Sequence, residues 1–159
     1  MFGLTSIGFA HTLVSLLALA AGFAALLSPG APGWHHRLGR TYNVLTVLAS
    51  LSSFGIMRQG RLNEGHLLAV LVLVLLGVAL FLGRRANRSG WATRGALIAF
   101  AATLFLSMVP GTVETFTRLP LGAPLLSGPQ DPMLPKLLAF ALLAVATGTA
   151  WQWIRTRAR

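Results

Sequence analysis

The sequence predicts an all-α integral membrane helical bundle, and three observations support that fold class. Of the 159 residues, 55% are hydrophobic and only 10% are charged, whereas soluble domains average about 25% charged residues. The apolar residues fall into five runs whose lengths suit helices that cross a bilayer. Most of the basic residues lie in the links between these runs. We therefore expect a single polytopic membrane domain over residues 1–159, with five transmembrane helices.

The five predicted helices follow the apolar runs in order, and each link has its own signal. No Lys or Arg precedes Arg37, so the first run lacks the positive start of a signal peptide and we expect a retained helix. Proline and glycine at 29–33 end it. The second run is short, and a polar turn at 58–65 separates it from the third, which has a wholly apolar centre. A proline-rich segment at 119–135 precedes the last run and is expected to cap the bundle at the membrane surface. The predicted helices cover about 4–27, 41–57, 66–82, 95–117 and 136–154.

The distribution of charge predicts the topology. The first and third links and the C-terminal tail carry nine of the 13 Lys and Arg residues. The positive-inside rule places these segments in the cytoplasm, so five spans put the N-terminus outside and the C-terminus in the cytoplasm. All four tryptophans then fall near the inner boundary, which indole rings favour. We expect a multi-pass protein of the bacterial inner (cytoplasmic) membrane, in contact with anionic lipids and not with nucleic acid.

Three ionisable residues from different predicted helices share the outer half of the bilayer. His11 lies about seven residues into the first helix, His66 opens the third, and Glu114 lies near the end of the fourth, one turn before Arg118. Ionisable residues inside membranes usually face protein or water and are candidates for a functional site. We therefore expect an outer-side pocket formed by His11, His66, Glu114 and Arg118.

The chemistry of this pocket stays open at the level of sequence. Two imidazoles and a carboxylate could ligate a divalent metal, and two imidazoles could hold a haem iron. A His–Glu pair could instead relay a proton or bind a quinone or another small ligand. The alternative is purely structural: His11 would bond to Ser15 or a neighbouring carbonyl, Glu114 would pair with Arg118, and His66 would begin its helix.

A basic cluster on the inner side forms a second candidate site, consisting of His35, His36, Arg37, Arg40 and Tyr42. Adjacent histidines do not share a helix face, so they make a poor metal pair. We expect this cluster to contact anionic lipid or phosphate at the membrane surface.

Small residues recur at every fourth position of the fourth predicted helix. Such a ladder lets helices approach closely in lipid, and we expect it to mediate helix packing through Gly95, Ala99, Thr103, Ser107 and Gly111.

Several of these residues resemble a family of uncharacterised bacterial polytopic membrane proteins. The family has a histidine in its first helix and an HRxxGRxY-like string at its first inner link. The resemblance implies the same helical architecture but brings no established activity. One departure is the string at 89–94, where many members have a second histidine motif. The matching positions here are His11-Thr12-Leu13, Ala21-Gly22, the stretch at 35–42, His66-Leu67-Leu68, and Glu114, Arg118 and Pro120.

The function predicted from sequence is that of a small membrane protein of unknown activity, with an outer-leaflet pocket that binds a small ligand, haem or a metal. The alternative is an accessory or assembly subunit that docks other membrane chains through its small-residue faces. A transporter or channel is less favoured because no inverted repeat is visible. The chain has no cysteine, and no nucleophile–base arrangement or phosphate loop indicates a hydrolytic enzyme.

Overall fold

Five α-helices make up most of the chain in the computed structural model, which describes residues 6–28, 36–56, 63–86 and 90–157. No strand occurs within these ranges, and the all-helical prediction is confirmed. The helices are α1 (Ser6–Leu27), α2 (Arg37–Ser53), α3 (Glu64–Arg85), α4 (Gly90–Phe116) and α5 (Leu134–Arg157).

Four of the helices found in the described ranges are long and apolar enough to cross a membrane. These are α1, α3, α4 and the Leu134–Arg155 part of α5. Helix α2 has 17 residues and carries a polar stripe, which makes it both shorter and less apolar than the other four. Length and composition thus support four of the five predicted spans.

Most helix boundaries differ from the predicted ones because capping and polar turns extend the helices beyond their apolar runs, whereas α2 ends at Ser53 and not at the predicted 57. Helix α2 begins at Arg37 rather than 41, directly after His36 in extended conformation. Helix α3 begins at Glu64 because Asn63 caps it: the Asn63 side chain accepts a hydrogen bond from the N–H of Gly65 at 2.9 Å. At its other end α3 continues through two arginines to Arg85. An apolar run therefore marks the lipid-buried part of a helix and not its full length.

The first four helices form a closed ring. Each of α1, α2 and α3 packs against the next helix, and α4 returns to contact α1, while α5 lies against α4 and α1. The start of α1, the end of α2, the start of α3 and the end of α4 meet at one end of the bundle, which we call the pocket end. The opposite end carries most of the basic residues, and we call it the basic end.

The core is densest in the half of the bundle nearer the basic end, around Tyr42. Its ring is fully buried and lies against Phe100 with the centroids 4.7 Å apart. The Tyr42 hydroxyl donates to Thr103 Oγ1 at 2.9 Å, and the Thr103 hydroxyl donates to the Phe100 carbonyl at 2.7 Å. Gly22 of α1 makes room for this ring, because a Cβ there would lie 2.8 Å from Tyr42 Cδ2. Helices α1, α2 and α4 therefore approach closely at this level.

Helix α5 is joined to the end of α1 by a buried amide. The Gln152 side chain donates to the carbonyl of Leu26 at 2.8 Å and to that of Ser28 at 2.5 Å. Carbonyls in the last turn of a helix lack intrahelical donors, so this amide caps α1 from a neighbouring helix. Close contact between the two helices is possible because a Cβ on Gly148 would fall 2.6 Å from Leu26 Cδ2.

The segment between α4 and α5 consists of turns and bends over residues 117–133. Leu126 is buried, and its N–H donates to the Phe116 carbonyl at 2.9 Å. Asp131 accepts hydrogen bonds at 2.8 Å from the backbone N–H groups of Ser127 and Met133 and from the Ser127 hydroxyl. The bond from the Ser127 N–H has the largest effect, and together these bonds hold the pKa of Asp131 below its ordinary value. One carboxylate thus orders the turn that leads into α5.

Candidate functional site

A cavity of about 420 Å³ lies at the pocket end of the bundle, between helices α1 to α4. This volume is within the range of about 300–1,000 Å³ that is usual for small-molecule sites. Its walls are mostly apolar side chains, among them Leu16, Leu19, Leu68, Val72 and Leu106.

Polar groups reach this cavity from several elements. His11, Glu114 and Arg118 all line it. Thr46 of α2 lines it too and is buried. Further hydroxyl groups line the cavity at Thr12, Ser15, Ser50, Ser53, Ser107 and Thr115. The cavity thus combines a large apolar surface with a few polar groups, which is the usual composition of a ligand site.

His11 is held in one orientation by α2. Its Nδ1 lies 2.9 Å from the Oγ of Ser52, and the Ser52 hydroxyl donates to the Ala49 carbonyl at 2.9 Å. A hydroxyl has a single hydrogen to donate, so Ser52 accepts from His11 and the Nδ1 of the imidazole carries the proton. The other ring nitrogen, Nε2, then offers a lone pair in the neutral ring. Nε2 lies 3.5 Å from the Ser15 hydroxyl, which is at the long limit of a hydrogen bond. The backbone of Ala49 is also within hydrogen-bonding reach of the His11 ring.

Glu114 and Arg118 form an ion pair one helical turn apart on the C-terminal part of α4. Both side chains are partly exposed, and Glu114 is close enough to His11 for an electrostatic interaction. This pairing is the one that the structural alternative predicts from the spacing. Since the two charges are opposite, together they add no net charge to the cavity wall.

His66 is used in the cap of α3. Its Nδ1 accepts a hydrogen bond from the Asn63 N–H at 3.1 Å, which completes a capping box with Asn63. The ring is 4% exposed and lies against Phe54 with centroids 5.5 Å apart. Its neighbour Gly65 lines the cavity, but His66 is not among the lining residues. The predicted pocket therefore loses one of its four members, because the His66 side chain is engaged at the start of its own helix.

A three-ligand metal site does not form from these residues. Within the described ranges, no three His, Asp or Glu side chains come together in a way that could hold a metal ion. Paired imidazoles for a haem iron would have to share one cavity, whereas His11 lines the cavity and His66 lies outside it. Of the alternatives that the sequence leaves open, joint ligation of a metal by His11, His66 and Glu114 is therefore not supported by the described residues.

The predicted basic cluster is divided between the surface and the core. Arg37 and Arg40 are exposed, and His36 is half-buried at the start of α2. His35 lies outside the described residues. Tyr42 is fully buried in the core, and its expected contact with lipid or phosphate was therefore wrong. The sequence suggests a surface position because Tyr42 follows a basic link, but Gly22 opens a gap on α1 that the ring fills.

The small-residue ladder of α4 faces three different neighbours in turn. A Cβ on Gly95 would lie 2.8 Å from Leu82 of α3, and one on Gly111 would lie 3.3 Å from Leu19 of α1. Thr103, between them, is fully buried and bonds Tyr42 of α2, while Ala99 is 6% exposed. Ser107 lines the cavity, and its hydroxyl donates to the Thr103 carbonyl.

Sequence reasoning missed Ser52 and Gln152, which both join helices by long-range hydrogen bonds. Ser52 belongs to a serine-rich end of α2, and Gln152 is a polar residue between two tryptophans. An isolated polar residue in an apolar run is a signal for interhelical bonding. The partners of these residues, however, depend on the register between helices, and the spacing of residues within one helix gives no information on that register.

No protein-family model, curated protein or solved structure matches this chain. The family resemblance noted from the residues stays a prediction. Function is therefore inferred from the cavity and its lining residues.

Proposed function

We propose that this protein binds a small, mainly apolar ligand in the cavity at the pocket end, with the polar head of the ligand donating a hydrogen bond to His11. The observation that carries this proposal is the His11 ring, which lines an apolar cavity of about 420 Å³ and whose Nδ1 is bonded to Ser52. The ligand class is an amphiphile with a hydroxyl head, such as an alkylphenol, a long-chain alcohol or a reduced quinone.

The charges of the wall favour an uncharged head. Glu114 and Arg118 neutralise each other through their ion pair, so among the described lining residues no unpaired cation attracts a carboxylate or a phosphate. A hydroxyl suits His11 better than a carbonyl would, because Nε2 can only accept while Nδ1 donates.

Binding is tested with two probes that differ by one hydrogen-bond donor, a para-alkylphenol and its methyl ether. Each is titrated calorimetrically into protein in lipid nanodiscs, with empty nanodiscs as the partition blank. We expect the phenol to bind about fivefold more tightly, because one hydrogen bond is worth about 1 kcal/mol. In His11→Leu the two probes should bind equally.

The matched control is Thr12→Val. Thr12 also lines the cavity, but its hydroxyl donates to the Gly8 carbonyl of its own helix at 2.9 Å. This variant should keep the preference for the phenol. Equal affinity of the unaltered protein for both probes, or a preference that survives in His11→Leu, would refute the role of His11, and failure of both probes to bind would refute the ligand site.

We also propose that all five helices cross the membrane, with the N-terminus outside and the C-terminus in the cytoplasm of a bacterial inner membrane. Support comes from the course of α2, which follows α1 from Tyr42 at Gly22 to Ser52 at His11. At 1.5 Å per residue, its 17 residues extend about 26 Å. The positive-inside rule then assigns the basic end to the cytoplasm.

Cysteine labelling tests this orientation directly, since the chain contains no cysteine. Gly128→Cys at the pocket end and Gly90→Cys at the basic end are well suited, because a Cβ at either position meets nothing within 4 Å. In intact spheroplasts, a membrane-impermeant maleimide should label the Gly128 variant and spare the Gly90 variant until the membrane is permeabilised. The opposite labelling pattern would invert the topology.

A further inference from the structure

A second, open groove runs between α4 and α5 on the outside of the bundle. It has a volume of about 630 Å³ and is bounded by apolar side chains, among them Ile98, Ala102, Phe105, Leu142 and Ala146. Both helices are long and apolar enough to cross a membrane, so this groove faces acyl chains in a bilayer.

The walls of the groove present little for a polar ligand to bind. Thr149 is its one hydroxyl-bearing residue, and that hydroxyl donates to the Val145 carbonyl of its own helix at 2.7 Å. Alanines on both helices leave a depression between the larger side chains. A hydrocarbon chain fills such a space without leaving polar groups unpaired.

The basic end of the groove carries a cation held against an indole ring. Trp153 lines the groove, and the guanidinium of Arg94 lies over its ring at 5.1 Å from the centroid. Arg94 is exposed, so it keeps donors available to a partner outside the protein. A second exposed arginine, Arg155, lies over Trp151 on the same helical end at 4.2 Å. Guanidinium groups bind phosphate in a bidentate manner, and indole rings favour the level of the headgroups.

We propose that this groove is a binding site for one anionic phospholipid, with an acyl chain between α4 and α5 and the phosphate on Arg94. Charge complementarity selects the occupant: the groove is apolar along its length and ends at arginines, as a phospholipid is apolar along its chain and anionic at its head. The proposal does not depend on the cavity at the pocket end, which shares no lining residue with this groove.

The test measures lipid selectivity at Trp153. In a protein whose other tryptophans are changed to phenylalanine (W34F/W91F/W151F), Trp153 fluorescence is quenched by phospholipids brominated near the top of the acyl chain. We expect brominated phosphatidylglycerol to quench at about fivefold lower mole fraction than brominated phosphatidylcholine, since one interfacial arginine is worth about 1 kcal/mol toward anionic lipid. In Arg94→Gln this preference should disappear.

Arg85→Gln is the matched control. Arg85 is also an exposed arginine over an aromatic ring, 4.2 Å from the Phe81 centroid, but it lies on α3 and outside the groove. It should leave the preference unchanged. Equal quenching by the two lipids, or loss of selectivity in Arg85→Gln to the same extent as in Arg94→Gln, would overturn the proposal.

A groove-filling variant distinguishes lipid from a second copy of the chain. Ala146→Leu should reduce quenching by phosphatidylglycerol because it occupies the space of the acyl chain, while the mass of the protein–detergent particle stays the same. If the unaltered protein is a dimer and Ala146→Leu makes it monomeric, the occupant is a second copy and the lipid proposal fails.

Discussion

Gly22→Ala is expected to destabilise the bundle, because the added methyl group has no space. A Cβ at this position would lie 2.7 Å from Leu104 Cδ1 and 2.8 and 2.9 Å from two ring carbons of Tyr42. Real Cβ contacts are essentially never this short, so a neighbour has to move. The Tyr42 ring cannot move freely, since its hydroxyl is bonded to Thr103 and its face packs on Phe100.

The magnitude follows from two opposing effects. Overpacking a well-packed core costs about 1–3 kcal/mol, and three contacts below 3 Å place this site near the upper end of that range. Replacing glycine by alanine inside a helix gains about 1 kcal/mol of helix propensity. The net loss is about 2 kcal/mol, which should lower the Tm of a chain of this size by roughly 4–8 °C.

The assay is thermal unfolding in one detergent at one scan rate. The quantity measured is the fraction of protein that remains monodisperse after heating. Gly77→Ala in α3 is the matched control, because it is also a glycine inside a helix but a Cβ there meets nothing within 4 Å. This variant should keep or raise the Tm. If Gly22→Ala is as stable as the unaltered protein, or if Gly77→Ala is destabilised equally, the close approach at Gly22 does not control stability.

Three further predictions follow from single side chains. Tyr42→Phe removes the hydrogen bond to Thr103 and should cost about 0.5–1.5 kcal/mol, measured by the same melting assay; an unchanged Tm would contradict a net contribution from this bond. Gln152→Leu leaves two carbonyls at the end of α1 without their donor and should lower the free energy of unfolding by about 1–3 kcal/mol. Amide exchange in the last turn of α1 should become faster, and unaltered exchange there would show that the amide does not cap α1. Asp131 has a lowered pKa in the folded protein, so the stability it contributes is present above its ordinary value of 3.8 and is lost as the pH falls through the lowered pKa. Asp131→Ala should therefore reduce the Tm at neutral pH by more than at a pH well below 3.8, and a constant difference across that interval would argue against the carboxylate.

The existence and order of the helices could be predicted because lipid imposes a simple condition. A backbone in hydrocarbon has to satisfy its own hydrogen bonds, so a long apolar run becomes a helix. The ends were less predictable, since they depend on local caps. Asn63 starts α3 before the apolar run begins, and Arg84 and Arg85 prolong it after the run ends. Polar residues near a helix end are compatible with both helical and non-helical backbone. Hydropathy therefore does not show at which of these residues the helix ends.

The candidate site could be predicted only in part, because residues at the same depth along the bundle need not lie next to one another. His11, Glu114 and Arg118 line one cavity, and their similar distance from the same membrane surface is enough to suggest it. His66 shares that depth, but its ring bonds Asn63, a choice made by local capping chemistry. The contact between His11 and Ser52 depends on the register of α1 against α2, which no single helix specifies.

The two ends of the ring differ because side chains fill the space between the helices near the basic end and leave a cavity near the pocket end. Near the basic end, the absence of a side chain at Gly22 is matched by the large Tyr42 ring, and the space is closed. Near the pocket end, small residues again bring the helices together, as at Ala69 of α3 and Gly111 of α4, but no aromatic ring from α2 fills the gap, and the cavity remains. An empty apolar volume lowers stability in proportion to its size, so whatever occupies this cavity should stabilise the fold. The contrast between a tightly packed half and a half that contains a cavity is consistent with the proposed ligand site at the pocket end.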